Sequence, residues 1–468
     1  MKNKIEMIIF IVVCFLLCLI PFVGMTVART DITTENKTLA SLPKLREYGK
    51  LNIEYLQELG NYFEDHFAFK NVLVTADSNI QSKIFGVSNM DTVITGKNGW
   101  LYYKDTLDDY LGQNTLSGRA IYNIANNLSI IQRYVEEKGA KFLFTAAPNK
   151  NSLYGENMPY YYNKKVSDIN NLALSKPQME KMEIAYADLF SQFKSQSEIL
   201  YLKRDSHWNN KGAVLAYNTI LDALEIDHEN YESTGSVRTK DYYGDLNKMI
   251  YPLGAEPEWN YEYQYDSGFV YETDTESVED AWIQTSNKDG EGTLLMFRDS
   301  FGNTLLPLMA EVFEKGYFSK GVPYQIESYM NDYKPDTVIV EKVERNISHF
   351  AFEPPIMTGP AVELQEEAEE ISTETTIMLE ECGYDAAFWE ISGRIDDDAG
   401  SNAKVYIKVI SDNDTDIYEA FTVSGEDSDN GYLLYIPKDL LVTDSVQIDV
   451  LVEEDDAIYS VKSENINI

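Results

Sequence analysis

The stretch TLLMFRDSFGNTLLPLMAEVFEKG, residues 293–316, decides how the chain is read. It opens with a short, nearly continuous apolar run, turns through Arg298 to Asn303, and continues with apolar residues at helical spacing. A buried-looking strand feeding straight into a helix is the repeating unit of an α/β domain on a mostly parallel sheet. The same grammar recurs on both sides. A helical run over residues 119–138 ends at Gly139 and is followed by the apolar strand KFLFTAAPNK. A second helical run, residues 166–194, precedes the strand EILYL, residues 198–202. NNKGAVLAYNTILDAL follows as a helix, and PDTVIVEKV supplies one more strand. Sheets of this kind bind ligands at the carboxyl ends of their strands. Two turns fall there, RDSFGN and KRDSHWNN.

The 468 residues allow two or three domains, and 44% apolar residues with 12% aromatics are ample for packed cores. A formal net charge of -38 speaks against nucleic acid, whose phosphates a binder must neutralise with Lys and Arg. The same charge repels anionic lipid surfaces and favours neutral or cationic partners. At the N-terminus, Lys2 and Lys4 precede MIIFIVVCFLLCLIPFVGMTV, 21 residues without a charge. As a helix this segment reaches about 30 Å, the hydrocarbon thickness of a bilayer. It is long for a signal-peptide core and reads as an uncleaved anchor, lysines inside and the bulk of the chain outside. Thr26-Val27-Ala28 offers a cleavage site, which leaves a secreted form as the second outcome. Cys14 and Cys18 lie in the anchor and Cys382 stands alone outside it, so the exported part forms no internal disulfide. That usage suits a bacterial envelope or surface protein.

The expected organisation is an anchor or signal over residues 1–28, a polar stalk over 29–50 and an α/β catalytic domain over 51–352. A Pro-rich, acidic linker follows over 353–374, then an accessory domain over 375–468. Within the catalytic domain, IEYLQELGNYFEDHFAFK is amphipathic and TVITGKNGWLYY reads as two short strands around a Lys-Asn-Gly turn. Beyond the linker, AAFWEISGRI, AKVYIKVIS, IYEAFTVSG, GYLLYIPKD, SVQIDVLV and AIYSVKS alternate apolar and polar residues between turn signals. That pattern predicts an all-β sandwich of roughly 90 residues.

The chemistry concentrates in the two turns. Asp205 and His207 are two apart in an extended segment, so their side chains share a side. The Asp205 carboxylate can then accept from the imidazole Nδ1 while Nε2 faces a cleft, with Trp208 as a wall. A serine becomes a nucleophile when an imidazole so fixed takes its proton. Ser300, between a strand and a helix, is the candidate, because unpaired backbone N–H groups there favour developing negative charge. Gly302 permits the tight turn and Asn303 offers one more donor. The bland alternatives stand beside this: Asp205, Ser206, Asp299 and Ser300 are all residue types that cap helices. Among the four histidines only His207 combines an adjacent carboxylate, an aromatic wall and a strand-end position; His66 reads as structural on an amphipathic helix, His228 sits in the acidic IDHEN turn and His349 lies near the linker. Arg345 is a further candidate for positioning substrate. The tyrosine-rich segment 251–272 supplies either stacking faces for sugars or packing under a loop. No Cys or His cluster has metal spacing, and neither a P-loop nor a dinucleotide fingerprint is present, so no metal and no cofactor are expected.

Eight segments in order carry a family resemblance: ENKTLASLP (35–43), YFEDHFAFK (62–70), TGKNGWLYY (95–103), APNKNSLYGENMP (147–159), DSHW (205–208), YYGDL (242–246), FRDSFGN (297–303) and KPDTVIVEKVERN (334–346). Over residues 30–350 the chain resembles the SGNH-hydrolase-like acetyltransferases of exopolysaccharide modification, the alginate O-acetyltransferase AlgX/AlgJ group and the DHHW protein family. The resemblance implies an SGNH-like, flavodoxin-like parallel sheet with circularly permuted motif order. It places the Asp-X-His pair on Asp205 and His207 and the nucleophile on Ser300. Trp208, Asn303, Arg345 and Tyr242 are then the candidate substrate-binding residues. It also implies an acetyl group received on Ser300 and passed to a polysaccharide hydroxyl, with a membrane-bound O-acyltransferase partner supplying acetyl groups across the bilayer. The C-terminal β domain corresponds in position to the carbohydrate-binding module of AlgX. One departure is Ser206, where the family name records His. Two other functions fit the same residues: a carbohydrate acetyl-esterase with the same triad, and a non-catalytic glycan-binding surface protein.

Overall fold

The computed structural model describes residues 2–28, 39–47, 50–82, 87–263, 267–364, 368–371, 375–396, 400–411, 415–441, 445–454 and 457–467. Most of the stalk expected over 29–50 lies outside them. At the N-terminus, Lys2–Ala28 is one helix. Its segment Lys4–Met25 is long and apolar enough to cross a membrane.

Seven strands form the central sheet: β1 (Lys141–Ala147), β2 (Tyr186–Ala187), β3 (Phe269–Tyr271), β4 (Trp282–Asn287), β5 (Thr293–Phe297), β6 (Lys315–Ser319) and β7 (Thr337–Val343). Their spatial order is β2-β1-β7-β5-β6-β4-β3. The first five run parallel and β4 pairs antiparallel to β6. The central strands are apolar on both faces because both faces are covered. Leu295 and Phe297 of β5 point with Val338 and Val340 of β7 into a core against Ile124, Leu128 and Ile131 of the helix Gly118–Glu137. Leu294, Met296 and Ile339 point the other way, toward Leu305 and Met309 of the helix Gly302–Val312 and Tyr217 and Ile220 of the helix Asn210–Ala223. This period-two division is what a pleated strand imposes. Helix starts are set locally: Ser117 accepts from the Ala120 N–H and Asn209 from the Gly212 N–H. The fold class read from the sequence is therefore the observed one, an SGNH-like α/β domain with further β-rich sheets toward the C-terminus.

Two local expectations change. The helical run expected over 166–194 is split into Asn171–Lys181 and Leu189–Ser195, with β2 between them. Glu183 takes a left-handed φ of 53° and ends the first helix, which frees Tyr186 and Ala187 to extend the sheet edge. Because β2 fills that edge, EILYL does not join the sheet. The chain doubles back instead: Tyr201 bridges Trp208, the Leu202 N–H donates to the His207 carbonyl and the Asn209 N–H to the Leu200 carbonyl.

The C-terminal strands form two sheets. Glu369–Glu370, Ala457–Asn467, Ser445–Glu454, Lys404–Ile410 and Thr415–Glu419 are neighbours in one; Thr376–Glu381, Phe388–Arg394, Gly431–Pro437 and Phe421–Val423 in the other. Val405, Ile407, Ile448 and Val450 of the first sheet meet Ile391, Leu434 and Ile436 of the second in a shared core. Residues 353–364, expected as a linker, are packed down. Ile356 and Met357 are fully buried, and the Val362 N–H donates to the Ile417 carbonyl at 2.8 Å.

Candidate active site

Strand β5 ends at Phe297, and three residues later Ser300 stands at the top of the sheet, two residues before the helix Gly302–Val312. The turn between them is tied on every side. Asp299 accepts from the Phe301 N–H at 2.9 Å and, through its other oxygen, from the Val343 N–H of β7 at 2.7 Å. The buried Glu341 accepts from the Asp299 N–H at 3.0 Å. Burial and the Asp299 charge raise the Glu341 pKa well above the ordinary carboxylate range. Among the described residues the Ser300 N–H has no acceptor.

The turn 202–207 brings the second half. His207 Nε2 lies 2.8 Å from Ser300 Oγ, and Nδ1 lies 2.7 Å from Asp205 Oδ1. With a carboxylate at Nδ1, the tautomer bears its proton there and Nε2 accepts from the serine hydroxyl. Asp205 is buried and saturated with donors: Oδ1 also accepts the His207 N–H at 2.9 Å, and Oδ2 accepts the Asp245 N–H at 2.8 Å and the Tyr242 hydroxyl at 3.2 Å. Burial alone raises its pKa, but the His207 hydrogen bond and charge, with the two backbone donors, carry it far below the usual range. Conversely, burial lowers the His207 pKa, while the Asp205 hydrogen bond and charge, then Asp245 and Asp299, raise it overall. About a fifth of the His207 side chain stays exposed, enough for a reacting group to approach.

Asp245 is the residue that sequence reasoning missed. Its carboxylate accepts from the Ser206 N–H at 2.8 Å and from the Ser206 hydroxyl, and sits 3.8 Å from His207 Nδ1. The quoted motif YYGDL contains it, but nothing in an acid forty residues downstream announced that it would return to the Asp205 loop. By donor type Asp205, His207 and Asp245 could also hold a cation, their ligand atoms lying within 4.8 Å of one another. In this arrangement each of the two carboxylates already accepts N–H or O–H donors from the chain.

The expected substrate-binding residues divide. Tyr242 is partly exposed and donates to Asp205. Arg345 stacks over Tyr103 at 5.2 Å and lines a narrow cleft with Ser206 and Phe301. Trp208 needs correction: at 1% exposure it faces the core, edge-on to Phe301, and its Nε1 donates to Thr304 Oγ1 at 2.6 Å. It backs Phe301, whose ring is the one that stands edge-on to the imidazole at 4.8 Å, and offers no surface to substrate. Asn303 is likewise buried, with its Oδ1 taken by the Arg298 guanidinium at 2.5 Å.

Residues 93–289 match the family model described as the SGNH hydrolase-like domain of the acetyltransferase AlgX. The likeness read from the ordered motifs is thus to AlgX-type proteins. The matched span holds Asp205 and His207, while Ser300 lies beyond its end. No curated protein matches the chain. Among solved structures the chain is similar to Bacillus cereus PatB1 with a sulfonyl adduct, at 16% identity over 57% of this chain and 99% of that one, TM-score 0.45. It is also similar to a DHHW family protein from Eubacterium siraeum, at 15% identity over 55% and 97%, TM-score 0.40. The O-acetyltransferase domain of Pseudomonas putida AlgJ follows at 15% identity over 55% and 92%, TM-score 0.37.

Proposed function

We propose that the protein is an extracytoplasmic O-acetyltransferase that moves an acetyl group, through a serine acyl-enzyme, to hydroxyls of a cell-surface or exported polysaccharide. The observation that carries this reading is the continuous hydrogen-bonded line from Asp205 through His207 to Ser300, on a chain matching an acetyltransferase domain. In the first half-reaction His207 Nε2 takes the Ser300 proton and Oγ attacks the acetyl carbonyl. The Ser300 N–H donates to the oxyanion, and the donor's C–O bond breaks with the proton returning to its leaving oxygen. In the second, His207 takes the proton of a sugar hydroxyl, whose oxygen attacks the acetyl-serine; Ser300 leaves and recovers the proton. Asp205 holds the imidazole in the required tautomer and stabilises the imidazolium. Arg345, beside Ser206 and Phe301, is the candidate to position the acceptor, while Tyr242 supports Asp205.

On this reading the N-terminal helix anchors the chain, and a membrane-bound O-acyltransferase supplies acetyl groups from the far side. The purified protein, given an acetyl-ester donor and candidate glycans, is expected to produce acetylated glycan. Ser300→Ala should bring transfer down to background, a loss of at least about a thousandfold for a triad nucleophile. Release of free acetate alone, with every plausible acceptor present, would show an esterase instead. Unchanged cell-surface acetylation in a Ser300→Ala strain would leave a non-catalytic glycan binder.

A further inference from the structure

Lys150 is almost fully buried, 3% exposed, yet is a residue type that seldom is. It opens the short helix Lys150–Tyr154 immediately beyond β1. Its side chain runs beneath the loop that carries Asp205 and His207. The ammonium donates to the carbonyls of Leu202 at 3.1 Å, Lys203 at 3.2 Å and Asp205. Three protons meet three carbonyls of one four-residue segment. Trp100 and Tyr102 flank the ammonium, their ring centroids at 5.7 and 5.2 Å.

The rest of that loop is satisfied from elsewhere. Glu258 accepts from the Lys203 and Arg204 N–H groups, Asn247 donates to the Arg204 carbonyl, and Asp245 accepts from the Ser206 N–H. Apart from the Leu202 N–H to His207 carbonyl bond, the segment takes its shape from distant partners. On its carbonyl side the Leu101 N–H reaches the Lys203 carbonyl at 2.8 Å, and Lys150 is the one side chain that gathers three of the carbonyls at once. Stability is a poor reason for a lysine here. Among the described residues it makes no ion pair with a carboxylate, and a desolvated ammonium without one is costlier than an apolar chain of the same length.

We infer that Lys150 is a positioning residue for the proposed acyl transfer: its charged ammonium clamps the loop 202–205 so that the Asp205–His207 pair meets Ser300 in register. The inference rests on the reading of Ser300 as an activated nucleophile. The groups facing the ammonium are Asp205, Asp245 and Glu258, with the Trp100 and Tyr102 rings. Burial pushes the ammonium's pKa down to about 8, against the pull of those three carboxylates. A neutral amine has two protons for three carbonyls, so the clamp weakens as pH rises through that value.

Labelling of Ser300 by phenylmethylsulfonyl fluoride, followed by intact mass on the full chain, tests this without an acetyl donor or acceptor. The wild type should label at Ser300 and Ser300→Ala should not; a wild type inert to the reagent would overturn the nucleophile reading itself. Given a reactive wild type, Lys150→Met is expected to label at least about tenfold more slowly while keeping a cooperative melt. Labelling at the wild-type rate would overturn the clamp. Should Lys150→Met fail to fold, the wild-type pH profile decides. Labelling should rise with His207 deprotonation and fall reversibly above about pH 8. A plateau running on well past the ordinary lysine pKa of about 10.4, where even an unshifted ammonium has lost its proton, would overturn the inference.

Discussion

His207 sits between a carboxylate that orients it and a second one that stiffens the loop beside it. Because Asp205, Asp245 and Asp299 together raise its pKa, the neutral imidazole needed as base accumulates only above the ordinary histidine value of about 6.5. The acid limb of kcat/KM is therefore expected above that pH. Asp245→Asn, which removes one of the charges, should move the limb to lower pH with most of kcat retained; a limb that stays in place would mean that Asp245 acts only on Ser206. Asp205→Asn should cost about a hundred- to ten-thousandfold in kcat by favouring the wrong tautomer. The same shifts mark stability. Asp205, depressed in the fold, contributes above the unfolded carboxylate pKa of about 3.9 and loses that contribution as pH falls toward its folded value. His207, raised, contributes fully below about pH 6.5 and loses it as pH rises through its folded pKa.

At the scale of elements, the site is two turns held over one sheet end, and each turn depends on close backbone approach. Gly244 is the tightest point. A Cβ there would stand 2.3 Å from the Arg204 carbonyl oxygen, a backbone atom that cannot swing away. Gly244→Ala is expected to push the helix start Asp245–Ile250 off the loop and withdraw the Asp245 N–H from Asp205. Destabilisation of about 1–3 kcal/mol is the usual cost of such overpacking. A thermal melt together with the Ser300 labelling rate checks it, and both should fall. The sequence reading misplaced this turn because EILYL has the composition of a strand. Composition measures fitness for a pleated, half-buried surface, not which edge is vacant. The edge had already been taken by two residues of what looked like a continuous helix.

At the scale of the molecule, the helix Gly118–Glu137 lies between the α/β domain and the β-rich region. Its apolar face was legible from periodicity, but its polar face is not solvated. Asn127 donates to the carbonyls of Phe350 and Thr422 and accepts from the Thr422 N–H, at 2.6, 2.9 and 3.0 Å. Asn123 donates to the Asp429 carbonyl and to Ser424 Oγ, and Arg119 to the Ala403 carbonyl at 2.6 Å. Arg133 pairs with Glu419 at 2.7 Å. Asn127→Ala would orphan three buried backbone groups. At about 1 kcal/mol or more each, the loss should be about 3 kcal/mol. The denaturant midpoint is expected to fall accordingly, with earlier proteolytic cleavage near residues 353–375. An unchanged midpoint would mean that the two regions are not energetically joined.

What the sequence determined by itself is everything carried by short-range pattern. Nearly continuous apolar runs marked the central strands and period-two alternation the C-terminal ones, helical spacing and capping residues marked the helices, and the spacing of Asp205 and His207 put both on one side of a loop. Ser300 was legible only together with them. The tertiary structure decided what pattern cannot encode. It chose which of two strand-like segments fills the sheet edge and turned Trp208 inward. It also brought Asp245 and Lys150 to the Asp205 loop from forty and fifty-five residues away along the chain. These choices depend on unpaired backbone groups of one segment finding donors and acceptors on another, and such pairings leave no periodic trace in either.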